Sequence, residues 1–337
     1  MKKGICTLAN DVVYDQVLAL INSIEFHAGS EMPVCIYPYD NRLDRLRELS
    51  AERPQVFLFE DESVINRWDD WVQRLWDCHP TAAKTWLALN GKPGIHRMGT
   101  HRRFCAFEGP FDQFIYMDAD ALLMNSPTII FSALEEYDWV TYDFQYKDLG
   151  HVFDVESPRL THIFSEKDLM SKTFCSGFYA SKRGSVTPKD IDFYLDRLAQ
   201  GEAEVLYPMA PDQTLLNYFV LSKPITSTNL ALSLSPRERT GNSVTSKHFE
   251  QQGGLLFDKG IQLLYLHYIG ISSRIFARLC QGENLEIPYR DIFLHYRYLN
   301  SPGDFPDFKE APKSYQLPPL SMTKRLKRKI SKIFSSN

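Results

Sequence analysis

Three short apolar runs, separated by helix-forming segments, open the chain and limit its fold more than any other feature. Residues 4–9 (Gly-Ile-Cys-Thr-Leu-Ala), 33–39 around Val34-Cys35-Ile36-Tyr37, and 55–60 around Val56-Phe57-Leu58-Phe59 read as buried strands. Between the first two, Asn10-Asp11 stands where a helix cap belongs, and Val17, Leu20, Ile21 and Ile24 share one helical face. A charged helix over 41–49 separates the second run from the third. This β-α-β-α-β rhythm implies a parallel sheet with helices on its faces. Neither G-x-G-x-x-G nor G-x-x-x-x-G-K-[ST] follows the first run, so a nicotinamide fingerprint and a P-loop are both excluded.

A fourth run, residues 114–123, holds two carboxylates among apolar neighbours: Phe-Ile-Tyr-Met-Asp118-Ala-Asp120-Ala-Leu-Leu. In an extended segment Asp118 and Asp120 point to the same side. Two carboxylates so placed make a hard oxygen site for Mg²⁺ or Mn²⁺, ions that keep positions open for substrate phosphates. The plain alternative is a strand-end turn in which one Asp caps the next segment. Burying two unpaired carboxylates is costly, so a cation is their natural partner.

The rest of the chain continues the α/β pattern. Residues 63–107 read as mostly helical and hold Trp68, Trp71, Trp76 and Trp86, which we assign to packing rather than to a sugar platform. Residues 138–142 and 173–180 read as strands, the second interrupted by Ser176-Gly177, a place where another group can approach the backbone closely. Helices are predicted over 188–199, from 210 onward and over 289–299, and a last strand over 262–270 ends in His267. Residues 145–172 read as an irregular lid and 233–260 as a long loop.

The 337 residues carry a net charge of −4, but residues 321–337 hold six Lys or Arg and no acid, which leaves −10 on the remainder. An acidic body argues against a general nucleic-acid binder. In the tail, Met322, Leu326, Ile330 and Ile333 share one helical face among basic residues, the pattern of an interfacial helix on an anionic membrane. The six cysteines are scattered without a C-x-x-C pair, which fits a reduced setting. No apolar run reaches the roughly 18 residues of a membrane span, and Asn10, Asp11 and Asp15 interrupt the run that a signal peptide would need. A cytoplasmic protein, peripheral on the inner face of the membrane, is the expectation.

Taken in order, Leu8-x-Asn10-Asp11 followed by Tyr14, Met117-Asp118-Ala119-Asp120, Ser176-Gly177, Asp212-Gln213-x-x-x-Asn217 and His267-x-x-Gly270 resemble the GT-A glycosyltransferases of the glycogenin and lipopolysaccharide galactosyltransferase type, glycosyltransferase family 8. The resemblance runs from about residue 4 to 270. It implies an α/β fold of GT-A type, a Rossmann-like, mixed but mostly parallel sheet with helices on both faces. To this the sequence adds a C-terminal helical extension, giving a catalytic domain over 1–285, a helix and Pro-rich linker over 286–320, and the basic tail over 321–337. The implied activity is transfer of a sugar, with retention, from a nucleotide-diphospho-sugar (UDP-linked) to a glycan or lipid-linked acceptor.

By the same resemblance, Leu8, Asn10 and Tyr14 line the uracil pocket, with Tyr14 stacked on the base. Asp118, Asp120 and His267 hold Mn²⁺ or Mg²⁺. Arg102 or Arg103 contacts sugar and diphosphate, Ser176 and Gly177 face the donor sugar, and Asp212 and Gln213 sit beside the anomeric carbon. The family continues His-x-x-Gly-x-x-Lys-Pro-Trp, its lysine touching the diphosphate. Here Ser273 stands in the lysine's place and Arg274 follows as a substitute. That departure keeps open a binding protein without transfer activity. A third alternative is a phosphotransferase using an aspartate of D-x-D-x-[TV], although Ala121 occupies the Thr/Val position.

Overall fold

The computed structural model describes residues 1–315. Eight strands carry the first two thirds of the chain: β1 Lys3–Ala9, β2 Val34–Pro38, β3 Val56–Leu58, β4 Gln113–Met117, β5 Ala121–Leu123, β6 Trp139–Thr141, β7 Phe178–Lys182 and β8 Ser227–Asn229. All but β5 form one sheet in the order β3-β2-β1-β4-β7-β6-β8. Strands β3, β2, β1 and β4 are parallel, as the opening rhythm requires. β7 runs against both β4 and β6, so the sheet is mixed but mostly parallel.

The side-chain alternation of the strands divides the core into two layers. Ile5, Ile36, Ile115 and Met117 face the helices Tyr14–Ala28 and Thr128–Glu136. Cys6, Tyr37, Phe114 and Tyr116 face the helices Glu62–Asp77 and Pro211–Ser222. Strands buried on both faces carry unbroken apolar runs, which is why they were legible in sequence. Trp68, Trp76 and Trp86 are buried in the second layer, so the tryptophans pack. All six cysteines are free.

A third layer closes the far end. Residues 233–260, expected as a loop, contain β9 Glu250–Gln252 and β10 Leu255–Asp258, which pair antiparallel and are continued by β11 Ile261–Gln262. β12 Tyr265–His267 then pairs antiparallel with β5. Leu122, Leu266, Phe276 and Phe293 pack together here. The C-terminal helix Arg290–Arg297 lies on the helix Tyr14–Ala28, where Asn22 Nδ2 donates to the Tyr296 carbonyl at 2.7 Å and Arg297 Nη2 meets Asp15 at 2.8 Å. Residues 145–172, expected as a lid, are pinned instead by Val152, Phe153, Phe164 and Leu169, all buried in the tryptophan layer. Among the described residues no helix is long and apolar enough to cross a membrane. The basic tail over 321–337 lies outside the described residues.

Candidate active site

The carboxyl ends of β1, β2 and β4 open onto one cleft of about 600 Å³, the edge of a parallel sheet where open α/β folds place their ligands. β4 stops at Met117, and residues 118–120 turn rather than extend: the Ala121 amide donates back to the Asp118 carbonyl at 2.9 Å. The expected same-side geometry of a strand is therefore not what joins the two carboxylates. A long-range pairing does it. β5 pairs with β12 in the register Ala121↔His267, and the Tyr268 amide donates to the Asp120 carbonyl at 2.8 Å. Oxygens of Asp118 and Asp120 and a ring nitrogen of His267 all fall within 4.8 Å of one another.

Gly177, just before β7, completes this corner. Its carbonyl accepts the Asp118 amide at 2.9 Å. A Cβ built on it would lie 2.4 Å from His267 Cε1 and 3.1 Å from Asp118 Oδ2, so only glycine leaves the cluster room. Two half-buried carboxylates and a buried imidazole match the donor set of a divalent cation. The electrostatics agree. Burial pushes the Asp118 carboxyl up, Arg103 opposes, and the neighbouring Asp120 charge leaves it above its ordinary value. Burial disfavours the His267 imidazolium, but the charge and hydrogen bond of Asp120, 3.2 Å away, raise it well above the usual histidine range. Such a cluster carries surplus negative charge that a cation relieves.

Arg103 organises the other wall. Its side chain is 4% exposed. Nη2 lies 3.1 Å from Asp118 Oδ1 and 3.1 Å from Asp212 Oδ2, Nη1 donates to the Ser176 carbonyl at 2.8 Å, and Nε donates to the Thr100 carbonyl at 3.0 Å. Its guanidinium also sits over the Tyr116 ring, 4.7 Å from the centroid, and Tyr116 Oη donates to Asp118 at 3.0 Å. Burial pushes the Asp212 carboxyl up, yet Arg103, with His101, Arg97 and Thr100, outweighs it and holds Asp212 below its ordinary value.

The helix Pro211–Ser222 uses the rest of its Asp-Gln-x-x-x-Asn motif to hold the chain ahead of β7. Gln213 Oε1 accepts the Ser176 amide at 3.0 Å, and its Nε2 donates to the His151 carbonyl at 2.8 Å. Asn217 accepts the Phe174 amide and donates to the Phe174 carbonyl, both at 2.9 Å. Thr173–Gly177, expected as strand, is thus a segment fixed by side chains in place of a ladder.

The sequence-predicted residues divide accordingly. Leu8, Asn10, Arg103, Asp118, Asp120 and Gly270 line the cleft. Asp212, His267, Ser176, Gly177 and Gln213 back it through the contacts above. Three stand aside. Arg102 is tied to Asp69 at 2.9 Å and to the Pro38 carbonyl at 3.3 Å. Tyr14 carries the Arg45 guanidinium 3.6 Å over its ring. Arg274 is exposed on the helix Ser273–Cys280, whose neighbours Ser272 and Ser273 line the cleft instead.

Two residues were missed. Asp143, 4% exposed, follows β6 and accepts the amides of Gln145 at 2.7 Å and Cys175 at 3.1 Å. Burial raises its carboxyl to about 7 against those hydrogen bonds. An acid at the carboxyl end of a strand was the available signal. Arg97 lines the cleft from a left-handed backbone (φ 53°), and a lone arginine in a polar segment gives no such signal.

No protein-family model matches the sequence, and no curated protein is significantly similar to it. Among solved structures, the bifunctional glycosyltransferase WbbM superposes with a TM-score of 0.51 at 14% identity, over 88% of this chain and 49% of WbbM. The galactosyltransferase LgtC, solved with donor and acceptor sugar analogues, superposes with a TM-score of 0.51 at 14% identity, over 94% of this chain and 98% of LgtC. This chain thus spans about half of WbbM and nearly all of LgtC. With its mixed sheet, its aspartate turn after β4 and its cleft at the strand ends, the chain has the GT-A fold of these glycosyltransferases.

Proposed function

We propose that the protein is a metal-dependent glycosyltransferase that moves a sugar from a nucleotide-diphospho-sugar, UDP-linked, to a glycan or lipid-linked acceptor with retention. The observation that carries this reading is the convergence of Asp118, Asp120 and His267 beside Arg103 in the cleft. In the reading, those three residues hold Mn²⁺ or Mg²⁺, which supplies positive charge where the departing diphosphate gains negative charge.

The chain's own residues do the rest. Leu8 and Asn10 bound the nucleoside end of the cleft, and Tyr14, beside it, closes on the base. Ser176 and Gly177 face the donor sugar. Asp212 is bound to Arg103, so its part is to fix that guanidinium toward the reacting centre. Gln213 fixes the backbone of Ser176, and Gly270 lets the chain pass close to the nucleotide. Arg102 is held by Asp69 and Arg274 is exposed beside Ser273, so neither is given a part in holding the donor. The basic stretch 321–334 supports an acceptor presented at an anionic membrane surface on the cytoplasmic side.

Calorimetry of UDP with Mn²⁺ and with EDTA, on the wild type and on Asp120→Ala, tests the donor site. Metal-dependent binding that the variant loses supports it; no UDP binding under any metal condition overturns it. Ser273 in the expected lysine's place favours one second reading, a donor-binding protein without transfer. Tight UDP-sugar binding with no UDP release, with or without sugar acceptors, would identify it.

A further inference from the structure

The cleft is lined by three arginines, Arg42, Arg97 and Arg103, and two of them are already engaged. Arg103 is spent on Asp118, Asp212 and two carbonyls. Arg42 is clamped on Asp40, with Nε 3.1 Å from the carboxylate. The Arg97 guanidinium makes no hydrogen bond or ion pair with any described residue, although it lies near enough to Asp212 to help hold that carboxyl low. Its backbone has φ 53° and ψ 42°, a left-handed conformation that costs a non-glycine residue about 1 kcal/mol or more and is retained where the surroundings or the function demand it. The Arg97 carbonyl caps this turn by accepting both the amide and the hydroxyl of Thr100, each at 2.8 Å. The turn thus fixes an exposed arginine on the wall of the cleft that also carries Thr100 and Arg103.

Resting on the donor-site reading above, we infer that Arg97 is the cation that receives the phosphate oxygens of the nucleotide diphosphate. A planar guanidinium donates two parallel hydrogen bonds to a phosphate, which no point charge does. Arg103 cannot take this part without abandoning Asp118 and the buried Asp212. Arg97 gives up nothing. The polyanion that the metal cluster and Arg103 draw into the cleft meets one uncommitted arginine there, and the deposit of charge on the leaving diphosphate falls on it. With Arg97 in this role the cleft needs no lysine at Ser273, which also lines it.

Arg97→Gly is the clean variant, because glycine adopts φ 53° without strain and the fold keeps its turn. Calorimetry with Mn²⁺ compares UDP and uridine, the latter by competition, on the wild type, Arg97→Gly, Arg97→Lys and the double variant Arg97→Gly/Ser273→Lys. The expected result is UDP affinity about 10- to 100-fold weaker in Arg97→Gly, uridine affinity unchanged, partial recovery in Arg97→Lys, and recovery in the double variant. UDP affinity equal to wild type in Arg97→Gly, or an equal loss for uridine, overturns the inference. A wild type that binds no UDP with any metal overturns the donor-site reading itself, a separate outcome.

Discussion

Gly177 and His267 are in contact so close that a single methyl on the glycine would fall 2.4 Å from the imidazole Cε1. Gly177→Ala therefore moves the ring or the strand end, and the ring is the softer of the two. Mn²⁺ affinity is expected to drop about 10- to 100-fold, the scale seen when groups supporting a metal ligand are disturbed. Isothermal titration with Mn²⁺ measures this directly. Thermal melting with EDTA present should show a far smaller change than the metal titration does.

Arg103 bridges two carboxylates from distant segments, and removing it leaves both without their cation. Arg103→Met is expected to cost about 3–5 kcal/mol in urea denaturation without metal, the range for breaking a buried charge pair. Arg103→Met combined with Asp212→Asn should cost less than Arg103→Met alone, because one orphaned charge is then gone. An additive double variant would show that the pair is not coupled.

Asp143 gives a pH signature. Its folded carboxyl titrates at about 7 and its unfolded one near 3.8, so between those values the folded chain binds the extra proton. Stability from this group is therefore present at low pH and lost as pH rises through 7, with a ceiling of about 4 kcal/mol. Asp143→Asn removes the slope, whatever its constant cost in hydrogen bonding. Denaturation midpoints from pH 5 to 8 should fall more steeply for the wild type than for the variant. Parallel curves would place the Asp143 carboxyl at an ordinary value.

Asn217 is fully buried and both ends of its amide are used on Phe174. Asn217→Ala leaves a buried amide and carbonyl unpaired, at about 1–3 kcal/mol each at most. Hydrogen exchange of residues 174–177 should accelerate more than exchange in β1 or β2, and UDP-sugar turnover should fall before UDP affinity does. Uniform acceleration across the sheet would mean that Asn217 supports the whole domain instead of this segment.

The central strands β1, β2 and β4 were legible because each is buried on both faces and needs an unbroken apolar run, whereas β8, Ser-Thr-Asn and mostly half-exposed, gave no such signal. Asp118 and Asp120 stood out for the same reason, as charges inside such a run. The pairing that makes them a cluster was not legible, since β5 and β12 are three residues each and lie far apart in sequence. Residues 145–172 misled because Val152, Phe153, Phe164 and Leu169 are too widely spaced to show a period, though they bury as well as any strand residue. The hairpin of β9 and β10 misled because its first strand, Glu-Gln-Gln, is wholly exposed and has no apolar face. Arg102 and Arg103 look equivalent in sequence; only the 3₁₀ turn from Met98 to Glu108 sends one inward to Asp118 and the other outward to Asp69.

The β5–β12 ladder also sets when the site can first exist. Residue 120 leaves the ribosome long before residue 267, and until β12 has emerged Asp120 has neither its imidazole neighbour nor the strand that orders it. The nascent sheet of β1 to β4 must carry two aspartates at its rim through that interval, with Arg103 as the cation already at hand. On the metal-site reading above, metal capture is then a late event, because a chain truncated before residue 267 lacks one of the three ligands.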